Sequence, residues 1–256
     1  MKAICLKSSF RKLRLPLLLA ALVMLGNSCS TLDQNPLTID PRADAALRAM
    51  SNKLAASQQF SFHTSRTIDA ALVLGTSIDE SAQIDMFVKR PNQIRGITTT
   101  PQGKRHLLYD GSKVITYNEK RNEYASQEAP GTIDEVIDSI SGDWGVRPPL
   151  SDIFVSDPYR SLTHEGGVVN HVGSESIDGT QCDHLKATLQ SLDWELWIGQ
   201  KDQLPRKLVI TIKARDGSPK ISSRVSQWNL SPHFAADLFT IKIPQNASQT
   251  NLIRSH

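Results

Sequence analysis

The chain has 256 residues, enough for one large domain or two small ones whose core needs no metal or disulfide staples. Hydrophobic residues make up 39% and charged residues 21%, with 14 Gly and 13 Pro, which excludes collagen-like, low-complexity and wholly disordered chains. The formal charge of +3 arises in the first fourteen positions, where Lys2, Lys7, Arg11, Lys12 and Arg14 stand with no acid before Asp33. Taking these five from the 29 basic residues leaves 24 against 26 acidic ones, so no case for a nucleic-acid partner survives.

That basic stretch, the apolar run 15–25 and the small polar stretch 26–30 read in order as a bacterial secretory signal, residues 1–29. Eleven apolar residues are too few for a stop-transfer helix. Two processing routes fit. Gly26 and Ser28 satisfy the small-x-small rule for ordinary cleavage before Cys29, while a cysteine just after an apolar run is also what acylation of a bacterial lipoprotein needs, although Gly26 stands where the lipobox wants leucine. Both routes lead to the periplasm, and an acylated Cys29 followed by Ser30 would allow anchoring to the outer membrane. Cys5 leaves with the signal, so only Cys182 lies in the folded region; it reads as a small buried apolar side chain, with no disulfide framework.

Asp40 as N-cap and Pro41 at the first helical position open an amphipathic helix of about four turns, with Ala43, Ala46, Leu47, Met50 and Leu54 at spacings of three and four. The period then changes to two. Phe60, Phe62 and Thr64 alternate with polar neighbours, as do Ile84, Met86 and Val88, and further strands are expected at 94–100, 105–109 and 113–117, the last two joined by an Asp110-Gly111 turn. Thr132 and Glu135 form a capping box, and Ile133, Val136, Ile137 and Ile140 make the stripe of a short helix ended by Gly142. A loop-rich stretch with Pro148, Pro149 and Pro158 and a helical turn at 150–154 follows, up to Gly166-Gly167. Strands resume at 168–175, 182–189, 194–199, 206–213 and 220–228 with short turns, hence antiparallel hairpins. Residues 246–256 read as a loose tail.

About ten meandering strands with one long helix before them and one short helix inserted midway describe a single α+β domain, residues 40–245: a strongly curved antiparallel sheet covered by helices. Curling makes a concave face, and the alternation makes that face apolar, the geometry of a hydrophobic-ligand site. Its candidate lining is Phe60, Phe62, Met86, Val88, Trp194, Leu196, Ile198, Leu208 and Ile210; Val136, Ile137 and Ile140 are the candidate lid. The same side chains would serve equally as packing under a helix.

No G-x-S-x-G, P-loop, G-x-G-x-x-G or H-E-x-x-H motif occurs, so no catalytic residue is assigned and an enzyme is not expected. His164, His171, Cys182 and His184 lack the second closely spaced pair of a zinc site, and no metal or other cofactor is expected. Asp134, Glu135 and Asp138 sit near a helix N-terminus, where they complement its dipole.

Seven stretches in one order carry a resemblance: Asp40-Pro41-Arg42-Ala43-Asp44, Tyr109-Asp110-Gly111, Tyr124-Ala125, Ala129-Pro130-Gly131-Thr132-Ile133-Asp134, Asp157-Pro158-Tyr159, Asp193-Trp194-Glu195-Leu196-Trp197-Ile198 and the run 204–211 beginning Leu204-Pro205-Arg206-Lys207. Over residues 40–245 the chain resembles the DUF2092 family of predicted periplasmic proteins. That family is similar in its order of elements to the LolA/LolB class of lipoprotein carriers, an incomplete β-barrel with helices plugging its mouth. The resemblance implies an envelope protein that binds a hydrophobic cargo, a lipid or an acylated protein, in a half-barrel cavity; a monomer is expected. A non-catalytic envelope scaffold or interaction protein with a filled barrel is the alternative.

Overall fold

The computed structural model describes residues 36–251 except Gly75, Ser77 and 145–147; the signal stretch and Cys29 lie outside the described residues. Helix α1 (Pro41–Ala55) starts as its sequence predicts. The Asp40 carboxylate accepts the backbone N–H groups of Arg42 (2.8 Å) and Ala43 (3.2 Å), and Ala43, Leu47, Met50 and Leu54 form its buried stripe.

All strands join one open sheet. In chain order they are β1 (Leu37–Ile39), β2 (Gln59–Ile68), β3 (Ser81–Lys89), β4 (Gln93–Thr100), β5 (Gly103–Tyr109), β6 (Lys113–Asn118), β7 (Glu123–Glu128), β8 (Gly167–Ile177), β9 (Thr180–Thr188), β10 (Leu192–Gly199), β11 (Pro205–Ile212), β12 (Lys220–Asn229) and β13 (Ser248–Gln249). Across the sheet they run β1-β8-β9-β10-β11-β12-β2-β3-β4-β5-β6-β7-β13, so the sheet does not close on itself. The β8–β9 turn shows why register is tight: Asp178 and Gly179 adopt φ of 48° and 80°, the left-handed pair that a two-residue hairpin needs.

The alternation places Phe60, Val88, Ile94, Tyr109 and Val114 on one face of β2 to β6, and Val169, Ala187, Trp194 and Ile210 on the same face of β8 to β11. Val169 and Val114 lie nine strand spacings apart, roughly 43 Å in a flat sheet at ~4.8 Å per strand. Both nevertheless belong to a single apolar cluster with the α1 stripe, a helix only about 22 Å long. The sheet therefore curls strongly around α1, and the molecule is the α+β curved sheet expected.

Several expectations are corrected. The described residues hold thirteen strands rather than about ten, and the β1–β8 and β13–β7 pairs are parallel. Strands of three and two residues are too short to show a period, and β7, with Tyr124 and Ala125 its sole apolar residues, shows none. Ser248 and Gln249 of the expected loose tail pair with Glu123 and Tyr124. Helix α3 (Ile133–Trp144) runs through Gly142, since one glycine costs a helix only about 1 kcal/mol and does not stop it. Two short helices were not foreseen, α2 (Ala70–Val73) and α4 (Pro158–Thr163); the latter begins with Asp157-Pro158, the signal that also opens α1, and Asp157 accepts the Arg160 N–H.

The convex face is covered too. Residues 231–243, after β12, cross β3 to β6 and bury Phe239 against Leu108 and Ile115, with Phe234 edge-on to Phe87 at 6.0 Å and to Phe239 at 5.4 Å. Gln59 donates to the Pro232 carbonyl at 2.7 Å and holds the start of this strap.

Candidate functional site

Three successive rows cross the concave side of β2 to β6. The first is Phe60, Val88, Ile94, Tyr109 and Val114; the second Phe62, Met86, Gly96, Leu107 and Thr116; the third Thr64, Ile84, Thr98, Arg105 and Asn118. The face thus passes along the strands from wholly apolar to polar. On the other limb of the curl, Trp194 pairs with Ile210 and Leu196 with Leu208, again on the inside. Glu195 and Trp197 point outward, where the Glu195 carboxylate meets His184 at 2.8 Å, the Trp197 indole donates to Glu175 at 2.7 Å, and the Lys207 ammonium sits over the Trp197 ring. A one-residue slip would exchange these sets, so the register is strongly specified.

The nine lining candidates and the three lid candidates come together in one cluster: Phe60, Phe62, Met86, Val88, Trp194, Leu196, Ile198 and Leu208 with Val136 and Ile137, and with Ile140 and Ile210 half-buried beside them. Helices, not a second sheet, lie over them. Phe154, at the end of the helical turn 151–153, sits 5.8 Å from Phe62, and the Trp194 indole donates to the Leu162 carbonyl of α4 at 3.2 Å; Trp228 of β12 itself lies 4.7 Å from Phe62. In this arrangement the strip is closed: Phe60 exposes none of its surface and Leu196 only 1%. Two cavities, of about 460 and 310 Å³, lie elsewhere, one beside α2 and the other under the convex strap.

Helix α3 is seated by the capping box read from the sequence. Glu135 accepts from the Thr132 N–H at 2.6 Å and from the Thr132 hydroxyl at 3.0 Å, which hold its carboxyl below its usual range, and the Glu135 N–H donates to the same hydroxyl at 3.3 Å. Asp134 accepts from the Ser156 N–H (2.9 Å) and hydroxyl (2.5 Å), and the Ile133 N–H donates to the Pro91 carbonyl at 2.8 Å. Arg90 beside it donates to the Phe154 carbonyl at 2.5 Å, and burial pushes its guanidinium pKa down.

Sequence reasoning missed the polar end of the concave face. Arg66 continues the Phe60-Phe62-Thr64 alternation, so a cation in that register was the available signal. Arg105 donates to the Asp79 carboxylate at 2.9 Å, and Arg66 reaches the Asp79 carbonyl at 3.5 Å. The Arg66 Nε and the Thr64 hydroxyl are buried with no hydrogen-bond partner. Asp79 lies between α2 and β3, and Leu72 and Val73 of α2 cover Ile68, Ile221 and Ile212.

Elsewhere Cys182 is fully buried, packed with Ile177 and Trp197, and burial pushes its thiol up, away from the reactive thiolate. His171 pairs with Asp183 at 3.1 Å and the His164 ring meets the Ser161 carbonyl; among the described residues no three His, Cys, Asp or Glu side chains group to hold a metal ion.

An uncharacterised conserved protein from Thermus thermophilus has a similar structure (11% identity, TM-score 0.51, covering 82% of this chain and 99% of that one). At this identity the likeness concerns the fold alone. Also similar are the lipoprotein LppX of Mycobacterium tuberculosis (16%, 0.47, 76% and 98%) and a LolA superfamily protein from Nitrosomonas europaea (13%, 0.36, 78% and 97%). Comparison with curated proteins finds no match. The model of one family, described as predicted periplasmic protein, matches residues 43–253, nearly the whole of the sheet and its covering helices, and the chain belongs to that family, DUF2092.

Proposed function

We propose that this protein binds an apolar ligand, a lipid or the acyl chain of a protein, on the concave face of its sheet, and that α3 is the lid. The observation that carries this reading is the continuous apolar strip from Phe60 to Ile210, covered by short helices that can leave it without breaking a strand ladder. The magnitudes support exchange. Lifting α3 uncovers Ile133, Val136, Ile137 and Ile140, at roughly 1.5–3 kcal/mol for each fully buried side chain, while an incoming chain returns ~0.8 kcal/mol per buried methylene. About ten methylenes therefore offset much of the cost of opening.

The role is binding rather than turnover, so Cys182→Ala and His184→Ala leave the phenotype intact. The protein acts in the periplasm as a monomer; if Cys29 is acylated, Cys29→Ala releases it from membranes, and unchanged fractionation removes the anchor without touching the carrier. A filled scaffold is the rival reading, favoured by the burial of the strip up to its half-buried end at Ile210.

Uptake of a fluorescent apolar probe tests the proposal. Leu196→Asp should abolish it, because an unpaired charge in that layer costs several kcal/mol; Glu195→Lys, on the opposite face, should leave it unchanged, with circular dichroism confirming both folds. The lid is tested by Asp134→Ala, which removes the tie to Ser156: probe uptake should become faster, and an unchanged rate in a folded variant counts against α3 as the lid. A folded wild type that takes up no probe and carries no co-purified lipid sinks the carrier reading and leaves the scaffold.

A further inference from the structure

We propose that the polar end of the concave face is an anion site, built from Arg66, Arg105 and the Thr64 hydroxyl, that holds the carboxylate or phosphate head of an amphiphile whose chain lies toward Phe62 and Met86. The inference rests on the carrier reading for the chain and adds the head group. Two cations face one carboxylate there, since Asp79 pairs with Arg105 through its side chain and offers Arg66 only its carbonyl. The site is therefore one negative charge short.

It is also short of hydrogen bonds. Thr64 exposes 1% of its surface, yet its hydroxyl has no partner, and neither has the buried Nε of Arg66, a residue whose backbone lies about 7 Å further along the same face. Buried donors are ordinarily satisfied, and an anionic oxygen is the acceptor that suits a guanidinium and a hydroxyl together. Burial, and then the neighbouring Arg105, lower the Arg66 pKa, a conflict that a bound anion relieves.

The place in the fold fits an amphiphile. Between the two arginines β3 carries Ala82 and Ile84 and β4 carries Thr98 and Thr100, so Ile84 is the one large side chain in the rows that the arginines occupy there. The next row inward holds Met86 and Leu107, and Leu107, 38% exposed, is an apolar side chain left open in that row. A chain entering from this end meets apolar surface at once while its head stays at the arginines.

The experiment compares palmitate with methyl palmitate, and both with inorganic phosphate, on the mature protein and on Arg66→Gln, Arg105→Gln and Asp79→Asn, by titration calorimetry. Wild type should prefer the acid over the ester roughly tenfold. Either arginine substitution should erase the preference and keep the ester affinity, and Asp79→Asn, which removes the competing carboxylate, should tighten palmitate binding several-fold. Equal affinity for acid and ester in the wild type overturns the head-group site and leaves the carrier standing. Phosphate bound by the wild type and lost in Arg66→Gln, with no amphiphile bound, upholds the anion site for a free anion and overturns the carrier. Neither phosphate nor palmitate bound, or an Asp79→Asn protein no tighter for palmitate, overturns the proposal even where the arginine variants fail to fold.

Discussion

Helices α1 and α3 cover the same concave face and bury their apolar stripes to the same degree, Leu47 and Met50 at 0% exposure and Ile133 and Ile137 at 1% and 3%, but they are fastened differently. At α1 both ends are tied. The Asp40 N–H donates to the Val169 carbonyl beside the β1–β8 pair, the Ser51 hydroxyl accepts the Tyr159 N–H, and Asp44, Arg48 and Tyr159 form a closed set of hydrogen bonds at 2.5–2.9 Å. Arg48, then Tyr159, hold the Asp44 carboxyl below its usual range. At α3 the ties described above gather in the first turn. Equal burial is thus fastened in two ways: α1, tied along its length, is the foundation around which the sheet curls, while the ties described for α3 lie in its first turn.

Leu47→Ala should break the foundation, costing about 3 kcal/mol in denaturant unfolding, whereas Ile140→Ala, half-buried on α3, should cost about 1 kcal/mol and leave the unfolding cooperative. A loss from Ile140→Ala as large as that from Leu47→Ala would erase the distinction between the two helices. Phe239→Ala on the convex strap should cost about 2 kcal/mol and leave apolar-probe uptake unchanged, because its cluster lies on the far side of the sheet. Tyr159→Phe removes the hydroxyl that joins Asp44 and Arg48 and should cost about 1 kcal/mol with unchanged uptake. Increased uptake there would mean that α1, too, moves.

Much of this was legible in residues. Asp40-Pro41 and the Thr132–Glu135 box announce both concave helices, and Phe60-Phe62 and Trp194-Leu196 announce which face they cover. Alternation assigns a side chain to a face but says nothing of what lies over that face, so lining and core stayed indistinguishable. The strap at 231–243 was illegible for another reason: Phe234, Phe239, Ile241 and Ile243 follow no helical repeat, and their burial depends on Leu108 and Ile115 more than a hundred residues earlier. Arg66 was hidden by its own strand, a cation in an apolar register that only the position of Asp79 explains.

The smallest expected effect separates the two faces by pH. On the convex side of β2 the His63 ring meets the Asp85 carboxylate and the Gln83 amide oxygen, each at 2.8 Å. Both partners accept, so the ring must donate from both nitrogens, and the Asp85 hydrogen bond raises its pKa above the ordinary 6.5. A folded-state pKa above the unfolded one favours folding when the ring is protonated. The contribution is thus fully present below about pH 6.5 and lost as pH rises through the folded-state value. With Asp85 half open to solvent, the pair is worth a few tenths of a kcal/mol. Unfolding of wild type and His63→Gln should therefore differ more at pH 5.5 than at pH 8.5, while probe uptake, governed by the opposite face, should not differ between them at either pH. A gap that widens toward alkaline pH would show that His63 folds as the neutral ring, with the Gln83 amide turned to donate.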